Sequence, residues 1–271
     1  MGATLRQLLP FVAAVGVVLY FDARTRRAGL DPPGFRNPWR RGAGLTALAL
    51  VLALTALAPL AGSGAVAREV DFASVPTWQL FAVHLLLVAA ALVWFATGFA
   101  GSGERLSAQL GLTPRRPLSE IGFGLLFGVG AWAVVLAGAY LVALLLTALG
   151  GESLVPQKPP EAVVWLAGRT VLLRAALAVS AGTIEELFFR GLLQPRAGLL
   201  LSTALFASAH LSYGQPFLLV GVTLLSLLYG LLVKWRQSVW AAMAAHTLFD
   251  LVQLLVVVPT LLHDFRGFWS P

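Results

Sequence analysis

"IGFGLLFGVGAWAVVLAGAYLVALLLTAL", residues 121–149, runs for 29 positions without one charged side chain. An α-helix needs about 20 predominantly apolar residues to cross the hydrocarbon core of a bilayer. In lipid every backbone N–H and C=O must be satisfied inside the segment, which a helix does and an isolated strand does not. The stretch is therefore read as a membrane-spanning helix. Its glycines predict a face on which another helix approaches closely, and no basic residue stands beside them to suggest phosphate binding.

The rest of the chain has the same character. Of 271 residues, 58% are hydrophobic and only 11% are charged, with a mean hydropathy of +0.83. That composition predicts an all-α, polytopic integral membrane protein and leaves no room for a large soluble domain. Apolar runs between charged or Pro/Gly breaks give about eight candidate transmembrane helices, near 8–21, 43–67, 78–100, 121–149, 170–193, 197–212, 216–233 and 239–262. The chain has no cysteine, which excludes a thiol nucleophile, a disulfide framework and a thiolate metal site.

The net charge of +7 would raise the question of nucleic acid in a soluble protein; in lipid its distribution matters more, and no nucleic-acid partner is expected. Thirteen of the 19 basic residues fall in alternate connections: six at 22–41, three at 101–120, Arg190 and Arg196, and Lys234 and Arg236. Arg6, Arg68, Lys158 and Arg266 fall on the other side, and Arg169 and Arg174 sit near one end of the fifth run, where long stems can snorkel. Cytoplasmic loops collect Lys and Arg, so both termini are expected outside and the basic loops in the cytoplasm. The run "RTRRAGLDPPGFRNPWRR" (24–41) reads as an irregular basic loop at the cytoplasmic surface. The first apolar run resembles a signal-peptide core, but the bulky Phe21 before a cleavage at Ala23 and the basic run behind it favour an anchor. Seventeen arginines against two lysines suggest a GC-rich prokaryotic source, hence a prokaryotic cell membrane.

Ionisable groups inside apolar runs cost at least a few kcal/mol and usually have a partner or a use. The fifth run holds Glu185 and Glu186, the sixth His210, and the eighth His246 and Asp250. Glu186 and Arg190 are four apart and share a helix face, while Glu185 is turned about 100° away. Phe206 with His210, and His246 with Asp250, are likewise spaced by four. At a rise of 1.5 Å per residue, the depths from the basic helix ends are about 12 Å for Glu185, about 20 Å for His210 and about 11 to 17 Å for His246 and Asp250. These values permit one intramembrane site. His84 and His263 have no motif around them and read as packing and interfacial residues.

"EELFFR", "FASAH" and "HTLFD" match Glu-Glu-x-x-x-Arg, Phe-x-x-x-His and His-x-x-x-Asn/Asp motifs. In that order the chain resembles the CAAX protease and bacteriocin-processing (Abi) family of intramembrane glutamate endopeptidases. The resemblance covers roughly 105–262. It divides the chain into N-terminal helices with the basic loop (1–104), a catalytic core (105–262) and a tail (263–271). It implies that Glu185 and His210 activate a water for attack on a peptide carbonyl, that His246 and Asp250 stabilise the oxyanion, and that Glu186, Arg190 and Phe206 support the site. The implied partners are a peptide or protein substrate and the lipid bilayer.

The third motif more often ends in Asn, so Asp250, which donates only when protonated, could instead orient His246. No cofactor is expected, with zinc held by Glu185, His210 and His246 as the alternative; no H-E-x-x-H occurs, and the ligands would come from three spans. A proton-coupled carrier or a non-catalytic binding or immunity protein could use the same buried cluster. The motif order favours the peptidase.

Overall fold

A computed structural model describes residues 2–62, 75–156, 159–213, 215 and 217–264. The end of the second apolar run and Arg68, Lys158 and Arg266 lie outside the described residues. Helices occupy all eight predicted runs: α1 (Gly2–Arg27), α2 (Pro38–Leu54), α3 (Ala82–Phe99), α4 (Pro117–Ala148), α5 (Val171–Glu186), α6 (Leu199–Ala209), α7 (Leu218–Arg236) and α8 (Trp240–Val252). The chain is an all-α polytopic membrane protein. Among the described residues five helical stretches are long and apolar enough to cross a membrane: Arg6–Arg27, Thr77–Phe99, Pro117–Ala148, Leu218–Arg236 and Trp240–His263. α5 carries Arg174, Glu185 and Glu186, too much charge for a face turned to lipid, and it packs between α3 and α8. α6 has 11 residues and so spans only about 16 Å, roughly half the hydrocarbon thickness.

α1, α2 and α3 pack together, and α8 lies against α4, α5 and α7. The first group shares one core with the start of the α5–α6 region: Phe21, Leu48, Leu52, Leu87 and Trp94 are continuous with Phe188, Phe189, Leu192 and Phe206. A second core joins Ala131 and Val135 of α4 to Leu225 and Tyr229 of α7 and to Ala241 and Ala245 of α8.

Small residues set how closely these helices approach. A Cβ at Gly124 would collide with the carbonyl oxygen of Ala241, one at Gly128 would stand 3.0 Å from that of Ala245, and one at Gly182 of α5 would collide with Thr247 of α8. The glycine face expected of 121–149 thus seats α8, by the close backbone packing that small residues spaced by four allow. By contrast, a Cβ at Gly130 meets nothing within 4 Å. Gly124→Leu is expected to destabilise the bundle by more than about 2 kcal/mol through overpacking, and Gly130→Ala to leave it unchanged or slightly stabilised. Thermal unfolding in one detergent checks both.

Basic residues of separate connections meet at one end of the bundle, where Arg24 and Lys234 line one cleft with Gly198, and there the structure corrects the irregular loop expected at 24–41. α1 runs on to Arg27, a 3-10 turn covers Pro33–Arg36, and Asn37 caps α2 by accepting from the N–H groups of Trp39 and Arg40. Buried Asp22 pairs with Arg26 and Arg41. Arg40 donates to the carbonyls of Ala96, Thr97 and Ala100, closing the C-terminus of α3. Phe35 packs edge-on to Trp94 at 4.6 Å. Local charge and Pro-Pro suggested a solvated loop; buried partners elsewhere in the chain order it. Arg236 grips Glu120 through both oxygens. Arg196 donates to Leu192 O and Gln109, and burial pushes its guanidinium down to about 10.

Candidate functional site

α5 brings its two glutamates to the centre of the bundle and then changes pitch, since Leu187–Leu193 is a π-helix. A wider turn leaves carbonyls away from their α-helical donors, and side chains reach them here: Ser202 donates to Phe189 O at 2.9 Å and Arg196 to Leu192 O at 3.0 Å. A second π segment, Gln253–Val257, follows α8. Arg174 donates to Leu254 O within it at 2.7 Å. Arg174 is therefore buried and does not snorkel to the interface as expected; a strong acceptor inside the bundle captures it.

Glu186 is fully buried and one of its oxygens receives two donors, Arg190 Nη1 at 2.8 Å and His246 Nδ1 at 2.9 Å. The guanidinium of Arg190 also donates to Ser226 O on α7 and lies 4.4 Å from the Phe206 ring centroid. Glu186 is thus a bolt joining α5 to α8, and through Arg190 to α7. Both nitrogens of His246 face carboxylates, because Nε2 stands 3.6 Å from Asp250 Oδ2, a distance for charge attraction and too long for a hydrogen bond.

His210 ends α6, with Nδ1 2.8 Å from Phe206 O. That carbonyl can only accept, so Nδ1 carries the hydrogen and Nε2 holds the lone pair of the neutral ring. Phe206 lies between the two imidazoles, 4.7 Å from the His210 ring and 6.0 Å from that of His246. Glu185 lies within charge-interaction range of His210, His246 and His84. One of its oxygens is 3.4 Å from His84 Nε2, and the other is buried with no hydrogen-bond partner among the described residues.

The structure therefore brings Glu185, Glu186, Arg190, Phe206, His210, His246 and Asp250 into one region. It also adds a residue read above as packing. His84 of α3 is 5% exposed and contacts α5 with both nitrogens, Glu185 as above and Ser180 Oγ at 2.8 Å. Its signal in the sequence was an ionisable ring in the middle of "AVHLLLV". Nothing local could name a partner 101 residues away. Among the described residues no three His, Asp or Glu side chains are grouped so as to hold a metal ion.

Residues 167–252 match the family model described as type II CAAX prenyl endopeptidase Rce1-like. The chain is also 39% identical over 69 residues to "Uncharacterized protein YpbD" of Bacillus subtilis (strain 168), a stretch that covers 25% of this chain and 36% of that relative. The chain thus spans about a third of the length of the curated relative it matches. No solved structure matches it. The matched segment contains all three motifs, from α5 through α8, and residues 167–252 of this chain are similar to the Rce1-like type II CAAX prenyl endopeptidases.

Proposed function

We propose that the chain is an intramembrane endopeptidase of the glutamic type, in which Glu185 is the general base. The observation that carries this reading is the buried, unbonded oxygen of Glu185 beside the imidazoles. Water placed between that oxygen and His210 Nε2 gives up a proton to Glu185 as its oxygen bonds to the scissile carbonyl carbon. The carbonyl π electrons move to oxygen, and Nε2–H of His246, in its imidazolium form with Nδ1–H already donated to Glu186, stabilises the oxyanion. Collapse breaks the C–N bond, and the proton held on Glu185 passes to the leaving amine.

No step uses a metal, and the ungrouped donors support that part of the reading. The basic end of the bundle is assigned to the cytoplasm by its arginines, and the substrate is a peptide segment reached from the bilayer. Comparison of membrane-peptide profiles from cells carrying wild type and Glu185→Gln tests this function. Fragments present only with wild type are expected, and identical profiles overturn it.

Asp250 stands 3.6 Å from His246 Nε2, too far for a hydrogen bond, and Asn in its place keeps the shape while adding the N–H donor that the proposed oxyanion contact calls for. Asp250→Asn is expected to keep kcat within about tenfold of wild type, in contrast to the orders of magnitude that a removed general base costs. Steady-state cleavage of a peptide from the profile comparison measures this.

A further inference from the structure

Glu185 has three side-chain torsions, and a base that wanders loses rate, because a misplacement of about 1 Å costs on the order of 10²-fold. Something must hold the carboxylate while leaving one oxygen for water. Helix α5 alone offers Glu185 no such hold, since the neighbouring Arg190 donates to Glu186 and to Ser226 O.

We infer that His84, on the N-terminal helix α3, is a positioning residue for Glu185 that fixes one carboxylate oxygen so that the other faces the reacting water. This rests on the peptidase reading above. The imidazole is buried, with Nδ1 at 2.8 Å from Ser180 Oγ and Nε2 at 3.4 Å from Glu185 Oε1. A neutral ring has one donor and one acceptor. An ionised carboxylate can only accept, so the hydrogen sits on Nε2 and points at Glu185, and the Ser180 hydroxyl donates to Nδ1. Ser180 and Glu185 lie five residues apart on the same helix, so the ring is held against α5 at two points and cannot swing away without losing both. Phe81 adds an edge contact at 6.4 Å between ring centroids. Helix α3, which carries none of the family motifs, thereby supplies part of the active site.

The test uses the full chain in lipid nanodiscs and measures kcat and KM separately. His84→Ala is expected to lower kcat about 10²-fold at unchanged KM, the scale of a displaced reacting group. His84→Gln, which keeps an N–H close to the position of Nε2, should recover most of the loss. In a Glu185→Gln background His84→Ala should cost nothing further, because residues that act as a unit are not additive. Wild-type kcat in His84→Ala, or a His84→Gln no better than His84→Ala, overturns the inference. Should His84→Ala not fold, Ser180→Ala decides: a severalfold lower kcat at constant KM supports it and an unchanged kcat overturns it. Full activity of Glu185→Gln would instead remove the peptidase reading itself, while an inactive Glu185→Gln beside a fully active His84→Ala removes only the role of His84.

Discussion

Glu185→Gln is expected to lower kcat/KM for peptide cleavage to background, a loss of about 10²- to 10⁴-fold, the span that general-base catalysis supplies. Gln keeps the shape and can still accept from His84 through its amide oxygen, but it cannot take a proton from water. The structural cost is small. Glu185 makes one long hydrogen bond, to His84, whereas the helices are tied by Glu186, Arg190 and His246. A change in the thermal midpoint of only a few degrees is expected, consistent with about 1 kcal/mol for a hydrogen bond. Activity and stability therefore separate at this position.

At His246 they should fall together. His246→Ala removes the proposed oxyanion donor, worth about 10²- to 10³-fold in kcat. It also strips one of the two donors from the fully buried Glu186 carboxylate. An under-bonded charge in the interior costs more than the hydrogen bond itself is worth, about 1–3 kcal/mol or more. His246→Ala is expected to lose both rate and thermal stability, and Glu186→Gln to lose chiefly stability. Kinetics and unfolding on the same preparations check the pattern.

What could be read from the sequence and what could not follow the range of the interactions. The 29-residue uncharged run fixes a helix by hydropathy alone, and its glycine spacing announces a close neighbour, found as α8 across Gly124 and Gly128. The Glu186–Arg190 pair follows from helical pitch, since residues four apart face each other. Spacing along a helix says nothing about which other helix arrives. The donor from His246 to Glu186, the ring of His84 on Glu185 and the hold of Arg174 on Leu254 O all join distant elements. For the same reason His84 read as a packing residue, and Arg174 as an interfacial one.

The two π segments were equally hidden, because each depends on donors from elsewhere to satisfy its carbonyls. Pitch changes of this kind are frequent at functional sites, and here they follow directly on the helices that carry the acidic residues, α5 and α8. The ordered basic end has the same origin. Asp22, Asn37 and Phe35 each find a partner that composition could not foretell.

The claim on which the rest depends is that hydrolysis is performed by the Glu185 carboxylate and its imidazole neighbours. It is tested most directly by following cleavage of one membrane peptide by purified chain in nanodiscs, after exhaustive chelation, for wild type and Glu185→Gln side by side. The predicted result is undiminished cleavage by wild type and none above background by Glu185→Gln. Equal cleavage by the two proteins, or wild-type activity that vanishes with the chelator and returns with zinc, would contradict it.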